Sequence, residues 1–169
     1  MTEETLEEIY RIASFGPTTM NTQPMRLTFV TSESAKERLM PFVFELNQPK
    51  VASAPVTAIV TAHRDFTEFM AETFPVRPDA AERFADENFR LQTAVSQTWL
   101  QVGYLIMAVR SVGLAAGPLL GFDAAGVDGE FFAGEPLRTV ALVNIGVPAG
   151  DPPYERLPRL SASTAIRFL

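Results

Sequence analysis

The segment Leu91–Leu114 constrains the fold more than any other. Leu91, Val95, Trp99, Val102, Ile106 and Val109 recur at three- and four-residue spacing, the period of one face of an α-helix. From Val102 to Val109 the run is apolar on nearly every side. A helix of that kind belongs at the centre of a domain or in a subunit interface. The stripe reads as core, and Gly103 and Ala108 leave room for a neighbouring backbone.

The rest of the chain must pack around this helix. Thr2 with Glu3 and Glu4, and Thr5 with Glu7 and Glu8, read as a capped helix start with acid at its positive end. That helix should stop near Gly16-Pro17. Leu27–Thr31 reads as a strand. Ala35–Phe44 reads as a short helix opened by Ser32–Ser34 and stopped or kinked at Pro41. Ala54–Ala62 is apolar and β-branched, the pattern of a buried strand. Asp65–Phe74 and the acidic Asp79–Arg90 read as helical, with a break at Pro75–Asp79. Gly117-Pro118 and Asp128-Gly129 read as turns, Phe131–Leu137 as a short helix or loop, and Thr139–Val147 as the third strand. The tail from Pro148 to Leu169 carries Pro152, Pro153 and Pro158 and must lean on its own domain or on a partner subunit. Few strands around a long central helix predict an α+β fold in one domain over 1–169.

Composition removes several function classes. The net charge is −6, with no cluster of Lys and Arg, which weighs against nucleic acid. There are no cysteines, hence no thiolate nucleophile and no thiolate metal site, and the one histidine excludes a multi-histidine metal site. The acidic N-terminus lacks a signal-peptide core, and no apolar run reaches the length of a membrane span. A cytoplasmic protein with no membrane contact is expected. No dinucleotide-binding glycine motif follows a strand, and there is no P-loop or nucleophile elbow.

The chemistry-bearing stretch is Gly16–Arg26, G-P-T-T-M-N-T-Q-P-M-R. Its two prolines fix φ and push the preceding residues out of helix. Thr18, Thr19, Asn21, Thr22 and Gln23 form a neutral row of hydrogen-bonding groups, suited to a flat polar ligand. The same residues are also ordinary turn chemistry.

Four segments in order, G-P-T-T-M-N-T-Q-P-M-R at 16–26, N-Q-P-K at 47–50, G-L-A-A-G-P-L-L-G-F-D at 113–123 and N-I-G-V-P with R-L-P-R-L at 144–160, resemble the FMN-dependent nitroreductase family over essentially the whole chain. Within it the chain is similar to the branch of malonic semialdehyde reductase and NADH dehydrogenase-like relatives. The resemblance implies a nitroreductase-like α+β fold with a central antiparallel or mixed sheet, a homodimer with the long helix at its interface, FMN between the subunits, and NADH or NADPH as reductant. It implies that Pro17, Thr18, Thr19 and Asn21 approach the flavin from one chain, and that Asn47 and Lys50 approach its pyrimidine side. It places the backbone of Pro118, Leu119, Leu120 and Gly121 against the ring, with an amide near Leu120 facing N5, and Arg159 at the phosphate. No side chain is assigned a catalytic role beyond the electrostatic one of Lys50.

Each residue also has a plain reading: a solvated lysine for Lys50, a turn glycine for Gly121, and surface charges for Arg156 and Arg159. His63 reads as structural, and Arg26 as either an anchor for a substrate carboxylate or a salt-bridge partner. Family members usually carry an arginine-rich segment ahead of the first helix recognisable here; it is missing from 1–169, and the resemblance implies either a start placed too late or a protein that lacks half its phosphate clamp. The expected activity is ping-pong hydride transfer to a small carbonyl such as malonic semialdehyde, a quinone or a nitro compound. Two alternatives stand beside it: a non-enzymatic flavin-binding or cofactor-free dimer, and a side branch with another flavin reaction such as reductive dehalogenation.

Overall fold

The computed structural model describes residues 1–148, 150 and 155–169; Pro152 and Pro153 of the proline-bearing tail lie outside the described residues. Four antiparallel strands form the sheet: β1 (Met25–Val30), β2 (Val56–His63), β3 (Ala115–Leu119) and β4 (Leu137–Gly146), in the order β1-β2-β4-β3. The helices are α1 (Glu3–Ser14), α2 (Glu33–Leu39), α3 (Gln48–Ser53), α4 (Met70–Thr73), α5 (Glu87–Ser111), α6 (Ala124–Phe131) and α7 (Ala162–Ala165). This is the α+β architecture expected, with the sheet purely antiparallel.

Side chains alternate across a strand, and the alternation splits the core between two faces. Ala58 and Val60 of β2, with Ala141, Val143 and Ile145 of β4, pack against Leu6, Ile9 and Ala13 of α1 and Val102, Leu105 and Val109 of α5. Ile59 and Leu142 point the other way, into Leu39, Val43, Val51, Leu119 and Val127. A smaller cluster of Ala62, Phe66, Met70, Ala80, Phe84 and Ala94 closes one end.

The long helix differs from the expectation in two ways. It begins at Glu87, because Asp86 caps it: its Oδ1 accepts from the Phe89 amide at 2.8 Å. The segment ahead of it, Pro78–Phe84, winds as a 3-10 helix instead of an α-helix. The helix ends at Ser111, before Gly113 with φ of +80°, a left-handed stop that glycine reaches without strain. The buried face is also displaced from the apolar stripe. Trp99 is 39% exposed, whereas Thr98 and Gln101 are buried beside Val102, Leu105 and Val109. Among the described residues nothing outside its own helical turn lies within 4 Å of where a Cβ on Gly103 would stand.

Two turn readings are corrected. Ala115–Leu119 is an edge strand, which makes Leu137–Gly146 the fourth strand and not the third. Pro118 is tolerated because an edge strand needs no donor on its outer side. Asp128-Gly129 lies inside α6, where the Asp128 carboxylate accepts from the amide and hydroxyl of Thr139 at 2.8 and 2.6 Å and so pins α6 to β4.

Candidate functional site

Three side chains of α5 and one carbonyl of α4 hold the Gly16–Arg26 loop. The Thr19 amide donates to Oε1 of Gln97 at 2.7 Å, the Met25 amide to Oε1 of Gln101 at 3.0 Å, and the Tyr104 hydroxyl to the Pro17 carbonyl at 3.0 Å. The Asn21 Nδ2 donates to the Thr73 carbonyl at 2.6 Å. Within the loop, the Gln23 amide donates to Thr18 Oγ1 at 3.2 Å. The hydroxyl of Thr18 is thus committed to the loop itself, and the side-chain nitrogen of Asn21 to α4. Pro17, Thr19 and Asn21 stay exposed at its outer surface.

Sequence reading found the loop but missed Gln97, Gln101 and Tyr104. The signal was available: polar side chains at i, i+4 and i+7 on an otherwise apolar helix lie along one stripe.

A second group forms where the chain passes from a 3-10 turn at Glu45–Asn47 into α3 and meets the segment after β3. Lys50 is on the helix and not in a loop, because Pro49 suits a first helical turn. Its Nζ donates to Oδ1 of Asn47 at 3.0 Å, and Nδ2 of Asn47 donates to the Gly121 carbonyl at 3.2 Å. The Phe44 amide donates to the same carbonyl at 3.0 Å. One amide side chain therefore ties an exposed ammonium to the backbone at Gly121. A Cβ on Gly121 would collide with Nδ2 of Asn47, so glycine is required for that contact. No carboxylate pairs with Lys50 among the described residues. Pro118 and Leu120 are exposed beside it and Leu119 is buried. Phe44 and Leu46 add an apolar rim, Leu46 being 89% exposed.

Among the described residues no hydrogen bond or ion pair joins the Pro17–Asn21 loop to the Asn47–Lys50–Gly121 group. Arg159 joins neither; its guanidinium donates to the Leu157 and Pro158 carbonyls, in a segment, Glu155–Leu169, that is exposed throughout.

Arg26 forms no ion pair among the described residues. It donates to the carbonyls of Gln23 and Met25, both at 2.9 Å, and its guanidinium lies 4.8 Å from the centre of the Phe69 ring. Burial lowers its pKa from the ordinary value. It lines a cleft of about 750 Å³ along β1 with Tyr10, Thr22, Phe69 and three glutamates, Glu3, Glu7 and Glu72. His63 stands edge-on to the same ring at 5.3 Å, with Nδ1 buried and unpartnered; burial and then Arg26 lower its pKa. Among the described residues no cluster of acidic or histidine side chains could hold a metal ion.

An antiparallel four-stranded sheet of order β1-β2-β4-β3, wrapped by helices on both faces, with a rigid polar loop and a lysine-glycine cluster, defines a particular α+β class. The family model described as "Nitroreductase family" matches residues 1–147. A "Putative NADH dehydrogenase/NAD(P)H nitroreductase" of Streptomyces coelicolor is 46% identical over 165 residues, covering 97% of this chain and 82% of the relative. One of the same name from a Caulobacter species is 41% identical, covering 99% and 86%. Among solved structures, a "putative nitroreductase in complex with FMN" from Exiguobacterium sibiricum superposes with a TM-score of 0.84 at 19% identity, covering 99% of this chain and 87% of that one. The nitroreductase family protein of Streptococcus pneumoniae gives 0.76 at 22% identity, covering 99% and 90%. The chain belongs to the nitroreductase family.

Proposed function

We propose that the protein is an FMN-dependent NAD(P)H oxidoreductase that works ping-pong on a small carbonyl, quinone or nitro acceptor. The observation that carries this is the Asn47 bridge, which sets the Lys50 ammonium and the Gly121 backbone in one rigid unit. The family relatives bear NAD(P)H nitroreductase names, and one neighbour in fold was solved with FMN.

The residues fit a flavin. Reduced flavin carries negative charge on its pyrimidine side, and a lysine with no competing carboxylate among the described residues stabilises that charge. Glycine at 121 admits a flat ring close to the backbone. The loop around Pro17, Thr18, Thr19 and Asn21 offers neutral polar groups, and FMN bound there supplies hydride transfer between a nicotinamide and an acceptor without a protein nucleophile. That chemistry suits a chain with no cysteine and one histidine. In this reading Lys50 and Asn47 would hold the pyrimidine side of the flavin, the Pro118–Gly121 backbone would take its ring, and Phe44, Leu46 and Leu120 would exclude water from it. Arg159 on the exposed tail serves the phosphate, and the separation of the two groups within one chain is met by a second copy contributing to each site.

The test is the visible spectrum of the purified chain after incubation with FMN and desalting, followed by anaerobic NADH or NADPH. A retained flavin band that bleaches with either nucleotide is the expected result. A desalted protein without flavin refutes the reading.

A further inference from the structure

Three of the four residues from Met20 to Gln23 have positive φ without being glycine: Met20 at 46°, Asn21 at 51° and Gln23 at 42°. L-residues with side chains enter this region seldom, and a run of them persists only where the surroundings over-determine it. The loop's own bonds, Asn21 amide to Thr18 carbonyl and Thr22 amide to Thr19 carbonyl, make a single tight turn. What anchors that turn is α5. We infer that Gln97, Gln101 and Tyr104 are positioning residues for the cofactor loop: one stripe of α5 holds Thr19, Met25 and Pro17 and so fixes the left-handed turn that presents Thr19 and Asn21. The inference rests on the reading of this loop as part of the flavin site.

The geometry is specific at each point. Gln97 and Gln101 are one helical turn apart and both use Oε1 as acceptor for a loop amide. Gln101 is buried, so without it the Met25 amide would lose its acceptor in a dry environment. Tyr104 works twice. Its hydroxyl donates to the Pro17 carbonyl, and its ring occupies the space where a Cβ on residue 16 would stand, so Gly16 and Tyr104 are matched in shape. The far side of the turn is tied to α4 by Asn21 and the Thr73 carbonyl. Helix α5 is also the most buried helix of the fold, with Val102, Leu105, Ala108 and Val109 in the main core. A loop moulded on such an element is ordered before ligand arrives, and a preorganised loop spends less binding energy on ordering.

Two variants of Gln97, which is only half-buried, separate this role from folding. Gln97→Leu removes the acceptor; Gln97→Glu keeps an oxygen at the same reach. Hydrogen exchange in the cofactor-free protein is read first. In Gln97→Leu the amides of Thr19, Asn21, Thr22 and Gln23 should exchange about tenfold faster, the size expected for loss of one net hydrogen bond, while those of β2 and β4 stay unchanged. Gln97→Glu should return the loop to within about twofold of the parent protein, since its acceptor is retained. Tyr104→Phe, which keeps the ring over Gly16, should loosen the same amides. For FMN, Gln97→Leu should raise Kd about tenfold through faster release, with the rate of reduction at saturating FMN unchanged. Unchanged exchange in both Gln97→Leu and Tyr104→Phe overturns the proposal, as does failure of Gln97→Glu to restore protection. If the parent protein holds no FMN, the functional reading fails, and the exchange data still decide whether α5 orders the loop.

Discussion

Gly121→Ala tests the Asn47 bridge on which the proposed site rests. The backbone at Gly121 is outside the left-handed region, so alanine is conformationally allowed there. The added Cβ, however, would collide with Nδ2 of Asn47, and it would stand 3.6 Å from both Asn47 Cγ and the Phe44 ring. Nδ2 is the far end of a flexible side chain, so Asn47 swings away and no backbone has to move. The cost is then the two bonds that Asn47 makes, to Gly121 and to Lys50. At about 0.5–1.5 kcal/mol net each, they sum to roughly 1–3 kcal/mol, with the exposed Lys50 bond at the lower end. Reduced freedom of the unfolded chain offsets about 0.4–1 kcal/mol. The expected net loss is about 1 kcal/mol, a fall in Tm of roughly 2–4 °C for a domain of this size. Flavin binding should suffer more, because the lysine is no longer held: about 10- to 100-fold in Kd, the worth of one charge-assisted bond. Urea denaturation and a fluorescence titration with FMN measure the two effects. The decisive control is the same change made in Asn47→Ala, where the obstacle is gone and Gly121→Ala should be close to neutral for stability and for flavin. Equal losses in both backgrounds would refute the argument, as would a destabilisation above about 4 kcal/mol, which would mean that the backbone and not the side chain had to yield.

The remaining expectations are independent of that bridge. Gly16→Ala should destabilise by about 1–3 kcal/mol, because the Tyr104 ring cannot make room without breaking its bond to Pro17; a neutral result in a melt would show that the ring does not lie there. His63 is held below its ordinary pKa of 6.5 by burial and Arg26, against the smaller opposing pull of Glu68 and Asp65. The unfolded chain therefore takes up the proton first as pH falls, so the contribution of neutral His63 is complete above 6.5 and is lost through the interval below it. His63→Gln should flatten that part of the stability curve between pH 7.5 and 5.5, and a curve identical to the parent's would refute the assignment. Lys50→Gln should weaken FMN binding or slow flavin reduction; unchanged values for both would remove Lys50 from the site. Sedimentation velocity should give the mass of two chains, and a monomer that still binds and reduces flavin would sink the shared-site reading.

Much of the fold could be read from periodicity, and the failures share one cause. The apolar run at 54–62 became β2 because a buried strand needs apolar side chains on both faces, and here the two faces serve two different cores. Thr2 and Ser32 capped the helices they were expected to cap. Gly117-Pro118, in contrast, looks like a breaker in one dimension, and only the sheet order shows that its strand lies at an edge where proline costs no ladder bond. Asp128-Gly129 looks like a turn until Asp128 is seen spending its carboxylate on Thr139, eleven residues later. The same holds at the site. The loop of Pro17, Thr18, Thr19 and Asn21 announced itself by composition, and N-Q-P-K by its resemblance to the family. That Asn47 faces Lys50 and Gly121 at once was not legible, because 74 residues separate Asn47 from Gly121 and neither motif names the other. The displaced face of α5 has the same origin. A stripe drawn through its apolar residues passes through Trp99 and misses Gln101, which is buried because the Met25 amide needs its oxygen as acceptor. Local pattern tells which side chains can leave water; the partner that a polar side chain finds is a property of topology. In this chain the candidate site is made of such partners, which is why the sequence could suggest residues for it and not their connections.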